Sequence, residues 1–243
     1  MGRGGRRLVV GDVHGCAQTL IALLQRVVRV TARDHLFFLG DLVNKGPDSL
    51  GVLQHVVALM GRGVRVTMLR GNHEHNLLHA DRKGRVAPLA KRGGSQGLLA
   101  GKSLAPQWRE LFEQMLYFVA LPDVLLVHAG FRFGTSAPFY DRDAMVNIKE
   151  FVYDPVVTAG RPVIHGHVRR SLSDIVCAIH QRAPVVPLEN GAVLGLGRSD
   201  YKIHDIGNLC CLDLDSRELH VQPAVDDRAA MPGFTLHCGS RTV

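Results

Sequence analysis

Leu8-Val9-Val10-Gly11-Asp12-Val13-His14-Gly15 places three apolar residues ahead of a Gly-flanked Asp and His, and the pattern then recurs along the chain. The run His35 to Leu39 leads into Gly40-Asp41-Leu42-Val43-Asn44-Lys45-Gly46-Pro47. Val64 to Leu69 precedes Gly71-Asn72-His73-Glu74, and Val124 to Val127 leads into His128-Ala129-Gly130. The last case is Ile164-His165-Gly166-His167, at the end of Pro162 to Ile164. Five times an apolar strand ends in Asp, Asn or His beside a glycine. In an open α/β sheet the carboxyl ends of parallel strands line the ligand crevice. Glycine lets the backbone turn sharply there without a Cβ clash.

Between these strands the pattern changes to helical spacing. Leu20, Leu23, Leu24 and Val27 form one helical series, and Leu53, Val56, Val57 and Met60 a second. Strand and helix alternate, which predicts a parallel sheet with covering helices. Arg82 to Ala105 is polar and Gly-rich and reads as an excursion away from the core; a helix starting at Pro106 follows it. Pro162 to Ile164, Ala192 to Leu196, Leu209 to Leu214 and Leu219 to Val221 read as short strands of an antiparallel-rich second sheet packed on the first. The fold class expected is α/β, two stacked mixed sheets flanked by helices. One domain spans 1–225, with a helical or loop excursion near 80–120 and a loosely ordered tail over 226–243.

Bulk properties limit the function classes. The 243 residues are 46% hydrophobic and 21% charged, the balance of a globular domain with a sizeable core. No apolar run approaches the roughly 20 residues that span a bilayer. Met1 to Arg7 is basic but only Leu8 to Val10 follows, so no export signal is expected. Five cysteines without a repeated spacing argue against disulfides and thiolate metal sites and fit a reducing cytoplasm. The net charge of +7 is scattered and not interleaved with aromatics, which argues against a nucleic-acid partner and fits attraction of phosphate.

Asp, Asn amide oxygen and imidazole together suit Mn, Fe, Co or Zn, and the lack of Cys among these ligands argues against a soft-metal site. Two cations need a shared anion, and Asp41 is the natural bridge. Two metals roughly 3.5–4 Å apart can grip a phosphoryl group from both sides and generate hydroxide between them. A single Gly-Asp or His-Gly-His is an ordinary turn; the ordered set of five carries the reading.

With these motifs the chain resembles the Ser/Thr-phosphatase branch of the metallophosphoesterases, above all its small bacterial members and the symmetrical diadenosine tetraphosphatases. The likeness runs from about Leu8 to about Val221 and includes Gly93-Gly94-Ser95-Gln96, Leu121-Pro122 and Lys149-Glu150-Phe151. It implies two stacked mixed sheets and two divalent transition metals, Mn²⁺ foremost. Asp12, His14 and Asp41 would hold the first; Asp41, Asn72, His128 and His167 the second. His73 would be the general acid, Asn44 its orienting neighbour, and Lys45, Asn72 and Lys149 would bind phosphate. His165 is expected to be structural, and His75 and His79 to lie on the following helix.

The chain departs from the protein phosphatases at Asn44-Lys45-Gly46, where they carry Asp-Arg-Gly. Asn44 can orient His73 but adds no charge to raise its pKa. Lys45 gives a point charge without a bidentate fork. Asn-Lys-Gly is the style of the tetraphosphatases, and a phosphate leaving group needs less help from an acid than an alkoxide. The expected substrate is therefore a dinucleotide polyphosphate. The alternative is a Ser/Thr protein phosphatase or general phosphomonoesterase acting on a phosphoprotein or other ester by the same mechanism. A nuclease would use the same metals, but Asn72-His73-Glu74 and His128-Ala129-Gly130 match the phosphatase branch. Glu189-Asn190-Gly191-Ala192, where Asp-Thr-Gly-Ala is usual, has no explanation from sequence.

Overall fold

Both faces of the early strands are apolar, and the structure shows why. The computed structural model describes residues 4–196 and 205–227. In it β1 (Arg7–Val10), β2 (His35–Phe38) and β3 (Arg65–Met68) run parallel and in register. They are linked by α1 (Ala17–Ala22), which continues as one wider π turn over Leu23–Val27, and by α2 (Ser49–Gly61). Leu8, Val10, Leu36 and Phe38 join the core under the helices, whereas Val9, Phe37 and Leu39 join a second core on the other side. A strand buried on both faces reads as an unbroken apolar run because its alternate side chains enter different cores.

The rest of the chain completes two sheets. α3 (Asn72–Arg82), α4 (Val86–Gly93), the short pair β4 (Leu99–Ala100) and β5 (Ser103–Leu104), and α5 (Pro106–Gln114) extend the helical layer. β6 (Phe118–Ala120), β7 (Leu125–Val127), α6 (Arg142–Asn147), β8 (Val163–His165), α7 (Leu172–His180) and β9 (Val185–Pro187) follow. β10 (Asn208–Asp213) and β11 (Leu219–Pro223) come last. One sheet has the order β11-β10-β1-β2-β3 and the other β6-β7-β8-β9. Val9, Phe37, Leu39 and Leu69 pack against Leu126, Ile164 and Val186 in a single cluster between them. This is the expected α/β sandwich of mixed sheets.

Four local expectations are corrected. The second sheet is mainly parallel: β7, β8 and β9 run the same way and only β6 opposes them. β10 and β11 are antiparallel but belong to the first sheet, where β10 pairs with β1. Ala192–Leu194 is a 3₁₀ turn and not a strand, entered through Gly191 in the left-handed region. In α2, Val57 and Met60 are each 43% exposed, and Val52, Leu53, Val56 and Leu59 form the buried face.

The stretch Arg82 to Ala105 also packs inward, because Val86, Ala90, Leu98 and Leu104 are buried in the main core. Its polar composition hid this sparse apolar series. Asp226, assigned to the tail, is buried and its carboxylate accepts from the backbone of Gln18 and Thr19 at the start of α1 (2.8 and 2.9 Å). Residues 228–243 of that tail lie outside the described part, as does Arg3. No described helix is long and apolar enough to cross a membrane.

Candidate metal centre

The parallel strands deliver their terminal residues to one place. Asp12 and His14 follow β1, Asp41 follows β2, Asn72 and His73 begin α3 just after β3, His128 follows β7 and His167 follows β8. Possible ligand atoms fall into three groups, each within 4.8 Å: His14, Asp41 and His73; Asp41, His128 and His167; Asp12, His14 and Glu189. Asp41 is common to two of them. Its Oδ2 is 3.6 Å from His14 Nε2 and its Oδ1 is 3.5 Å from His128 Nε2, so the carboxylate faces both sides.

Backbone carbonyls set the imidazoles. His14 Nδ1 meets the Val43 carbonyl at 3.3 Å and His128 Nδ1 the Leu39 carbonyl at 3.0 Å. A carbonyl only accepts, so each Nδ1 carries the proton and each Nε2 turns a lone pair inward. This is how a protein orients metal-ligating histidines. The Asn72 amide oxygen has only acceptors around it, with Asp41 Oδ2 at 3.0 Å, His167 Nδ1 at 3.2 Å and His128 Nε2 at 3.3 Å. Rotated by half a turn, the amide would instead donate to the same atoms. The orientation found, an oxygen among lone pairs, suits a cation between them. The donor chemistry therefore fits a divalent metal pair.

Local geometry is held against strain. His14, Asp41, Asn44, Lys45 and His167 all have φ between 48° and 68°, five of the nine non-glycine residues in the left-handed region among those described. Such conformations cost of order 1–3 kcal/mol each and gather where a site over-determines them. Gly40, at φ 108°, passes against the Gly71 backbone and the His128 ring, so a side chain there would collide. Gly166 lies against the Asp12 carboxylate, which accepts the His167 N–H at 3.0 Å.

Burial dominates the electrostatics. It lowers His128 to about 3 and His73 and His167 to about 4, and holds His14 well below its usual value. The imidazoles are thus neutral at physiological pH, the form that ligates metals. Burial also raises Asp12 and Asp41, and for Asp12 the neighbouring Glu189 and Asp41 charges push the same way. Glu189 is pushed up to about 8, again by burial first.

His73 is fixed by a chain of donors. The Asn44 amide nitrogen is 3.0 Å from His73 Nδ1, Ser95 Oγ donates to Asn44 Oδ1 at 2.6 Å, and the Asn44 N–H donates to Ser49 Oγ at 2.9 Å. The amide donates to Nδ1, so the His73 proton sits on Nε2, 3.9 Å from Asp41 Oδ2. Lys45 Nζ donates to His14 Nε2 at 2.7 Å. A pocket of about 270 Å³ opens beside these groups, lined by Asn44, Lys45, His73, Asn76, Leu89 and Arg92. Lys149 is exposed after α6 and shares no hydrogen bond or ion pair with the cluster among the described residues. His165 is buried, with its Nδ1 3.0 Å from the Gly166 carbonyl and its ring edge-on to Phe151. His75 is half-buried and His79 exposed on α3.

Three residues at the site escaped the sequence reading. Glu74, fully buried, accepts from the backbone N–H groups of Asp41, Leu42, Val43 and Gly71 (3.0, 2.8, 3.3 and 2.9 Å). Ser95 holds the Asn44 amide. Glu189 completes a donor group with Asp12 and His14. It follows the apolar run Val185 to Leu188 and precedes Asn190-Gly191, the same strand-carboxylate-glycine signal as the other motifs.

Comparison with known proteins agrees with this geometry. Residues 5–180 match the family model described as calcineurin-like phosphoesterase. A symmetrical bis(5'-nucleosyl)-tetraphosphatase of Acidovorax sp. is 37% identical over 128 residues, 50% of this chain and 42% of that protein. The protein of the same name in Cronobacter sakazakii is 49% identical over 70 residues, 29% of this chain and 24% of its own length. The matches thus span less than half of these curated relatives. A solved candidate diadenosine tetraphosphatase superimposes with a TM-score of 0.64 at 23% identity, covering 92% of this chain and 95% of its own. A Saccharomyces cerevisiae protein serine/threonine phosphatase gives 0.61 at 15% identity, covering 92% and 81%. At these identities both report the fold alone.

Proposed function

Since the chain belongs to the calcineurin-like phosphoesterases, we propose that it is a dinuclear-metal phosphohydrolase cleaving a dinucleotide polyphosphate such as diadenosine tetraphosphate. The observation that carries this is the two-sided Asp41 carboxylate, one oxygen toward His14 and the other toward His128. Asp12, His14 and Asp41 would hold one ion, and Asp41, Asn72, His128 and His167 the other. Bound there, two divalent cations supply Lewis acidity to the phosphoryl oxygens and lower the pKa of an attacking water. Mn²⁺ suits the mixed oxygen and imidazole donors.

The substrate reading rests on His73. Its Nε2–H faces the cluster and can donate to a leaving oxygen. Burial lowers its pKa to about 4, so the neutral imidazole prevails at neutral pH. An alkoxide leaving group needs a full proton, whereas a nucleotide phosphate leaves with a hydrogen bond. Asn44 adds no negative charge to correct this. Lys45 supplies positive charge for phosphate, with Lys149 a further candidate at longer range. The tetraphosphatase names of the relatives point the same way, and symmetrical cleavage would yield two nucleoside diphosphates. Among the described residues Cys16, Cys177, Cys210 and Cys211 are free thiols, which supports the cytoplasm as compartment.

Removal of metal by a chelator should abolish turnover, and Mn²⁺ should restore it with two ions per chain by elemental analysis. Full activity with one ion or none would overturn the dinuclear reading.

A further inference from the structure

Glu189 sits where the neighbouring chain leaves it little freedom. β9 runs parallel to β8 with Pro187 opposite His165, and the Leu188 N–H donates to the His165 carbonyl at 2.7 Å. The chain therefore reaches the metal centre at the carboxyl end of β9, the same edge from which β8 delivers His167. Asn190 then locks the exit. Its amide nitrogen donates to the carbonyls of Arg170 and Asp205 at 2.9 and 2.6 Å. Its amide oxygen accepts from Asn208 N and Nδ2 at 3.1 and 2.8 Å. The Glu189 carbonyl accepts from the Arg170 N–H at 2.9 Å, so its backbone is held as well.

That side chain goes inward. Glu189 is 3% exposed, and its carboxylate lies within 4.8 Å of the ligand atoms of Asp12 and His14. His14 Nε2 lies 2.7 Å from Lys45 Nζ and 4.0 and 3.6 Å from the Asp12 and Asp41 carboxylates, and Glu189 forms no ion pair among the described residues. A buried carboxylate is costly unless a cation or donors compensate it. Here the Gly191 N–H and the nearby Lys45 charge compensate it in part, and it faces Asp12 and His14 across a gap that a cation would fill.

We propose that Glu189 is a ligand of the first metal ion, joining Asp12, His14 and Asp41. This rests on the reading that two ions bind. The replacement of the more usual Asp by Glu at this position then has a physical meaning: an aspartate is shorter by one methylene, about 1.5 Å of reach. The first site thereby holds three carboxylates and one imidazole, and the second one carboxylate, one amide and two imidazoles. The oxygen-rich first site favours harder ions such as Mn²⁺ and Mg²⁺ over Zn²⁺ relative to the second.

The test is a Mn²⁺ titration of chelator-treated full-length wild type, Glu189→Gln and Glu189→Asp, read by calorimetry and by the paramagnetic resonance of free Mn²⁺. Wild type should bind two ions. Each variant should keep one at wild-type affinity and bind the other roughly 10–100-fold or more weakly, since even indirect supports of a ligand cost that much. Two unchanged affinities in Glu189→Gln would overturn the proposal. So would wild-type affinities in Glu189→Asp, because charge alone and not contact would then suffice. Wild type binding fewer than two ions would sink the dinuclear reading itself, a result separable from the others. Thermal unfolding of each metal-free protein checks folding, and Glu189→Asp, which keeps the charge, carries the test should the glutamine variant not fold.

Discussion

Glu74→Gln isolates the residue that shapes the loop carrying Asp41. Glu74 Oε1 accepts from Leu42 and Val43 at 2.8 and 3.3 Å, and Oε2 from Asp41 and Gly71 at 3.0 and 2.9 Å. A glutamine has one oxygen, so two of these four donors must face an NH₂ group. If the Leu42 and Val43 pair is given up, one strong and one long bond to a charged acceptor are lost. At about 1.5–3 kcal/mol for a hydrogen bond to a charged group, and less for the long one, the loss is ~2–4 kcal/mol. The amide costs less to bury than a carboxylate, which offsets part of it. The displacement would spread, because the Asp41 carbonyl accepts from His14 N at 2.8 Å and the Leu42 carbonyl from Gly15 N at 2.9 Å. Both sides of the metal centre then shift, and a misplacement of ~1 Å can cost about 10²-fold in rate. The assays are urea denaturation of the metal-free protein, and kcat with metal content at saturating Mn²⁺. A variant as stable as wild type and active within a few-fold would refute the claim that Glu74 sets this loop.

Asp41→Asn should remove most bound metal and nearly all turnover, because both ions depend on that carboxylate; metal analysis retaining two ions would contradict it. His73→Asn should lower kcat with metal content preserved, by ~10²–10⁴-fold on an alkyl phosphate and by less on an anhydride. An equal loss on both substrates would argue against a role on the leaving group. Asn44→Asp with Lys45→Arg should raise the His73 pKa from about 4 by roughly 1–3 units, through an opposite charge at hydrogen-bond range. The pH–rate profile on a phosphoserine peptide should then extend its active range upward, since more imidazolium persists at a given pH; an unmoved profile would refute this.

The fold was readable where a strand was buried on both faces, as in Leu8 to Val10 and His35 to Leu39, because such runs leave little ambiguity. It failed where pairing is decided by distant segments: nothing local in Leu209 to Leu214 says that it joins β1 rather than β9. Arg82 to Ala105 misled because four buried side chains, Val86, Ala90, Leu98 and Leu104, are diluted among polar ones. The residues predicted as ligands do converge, since each follows a strand whose direction fixes its end. The tasks of Glu74 and Ser95 are not legible in the sequence, because a side chain bonding backbone or amide groups far along the chain leaves no periodic signature. Glu189 carries the same strand-end signal as Asp12 and Asp41, but its strand is only three residues long and includes Pro187, which weakens the signal.

The most direct measurement is the ratio of kcat/KM for diadenosine tetraphosphate to that for a phosphoserine peptide, in the Mn²⁺-loaded enzyme with products resolved by chromatography. A ratio well above one, with ADP as the sole nucleotide product, is the expected result. A preference for the phosphopeptide would contradict the account and make Asn44 and Lys45 drift within a protein phosphatase.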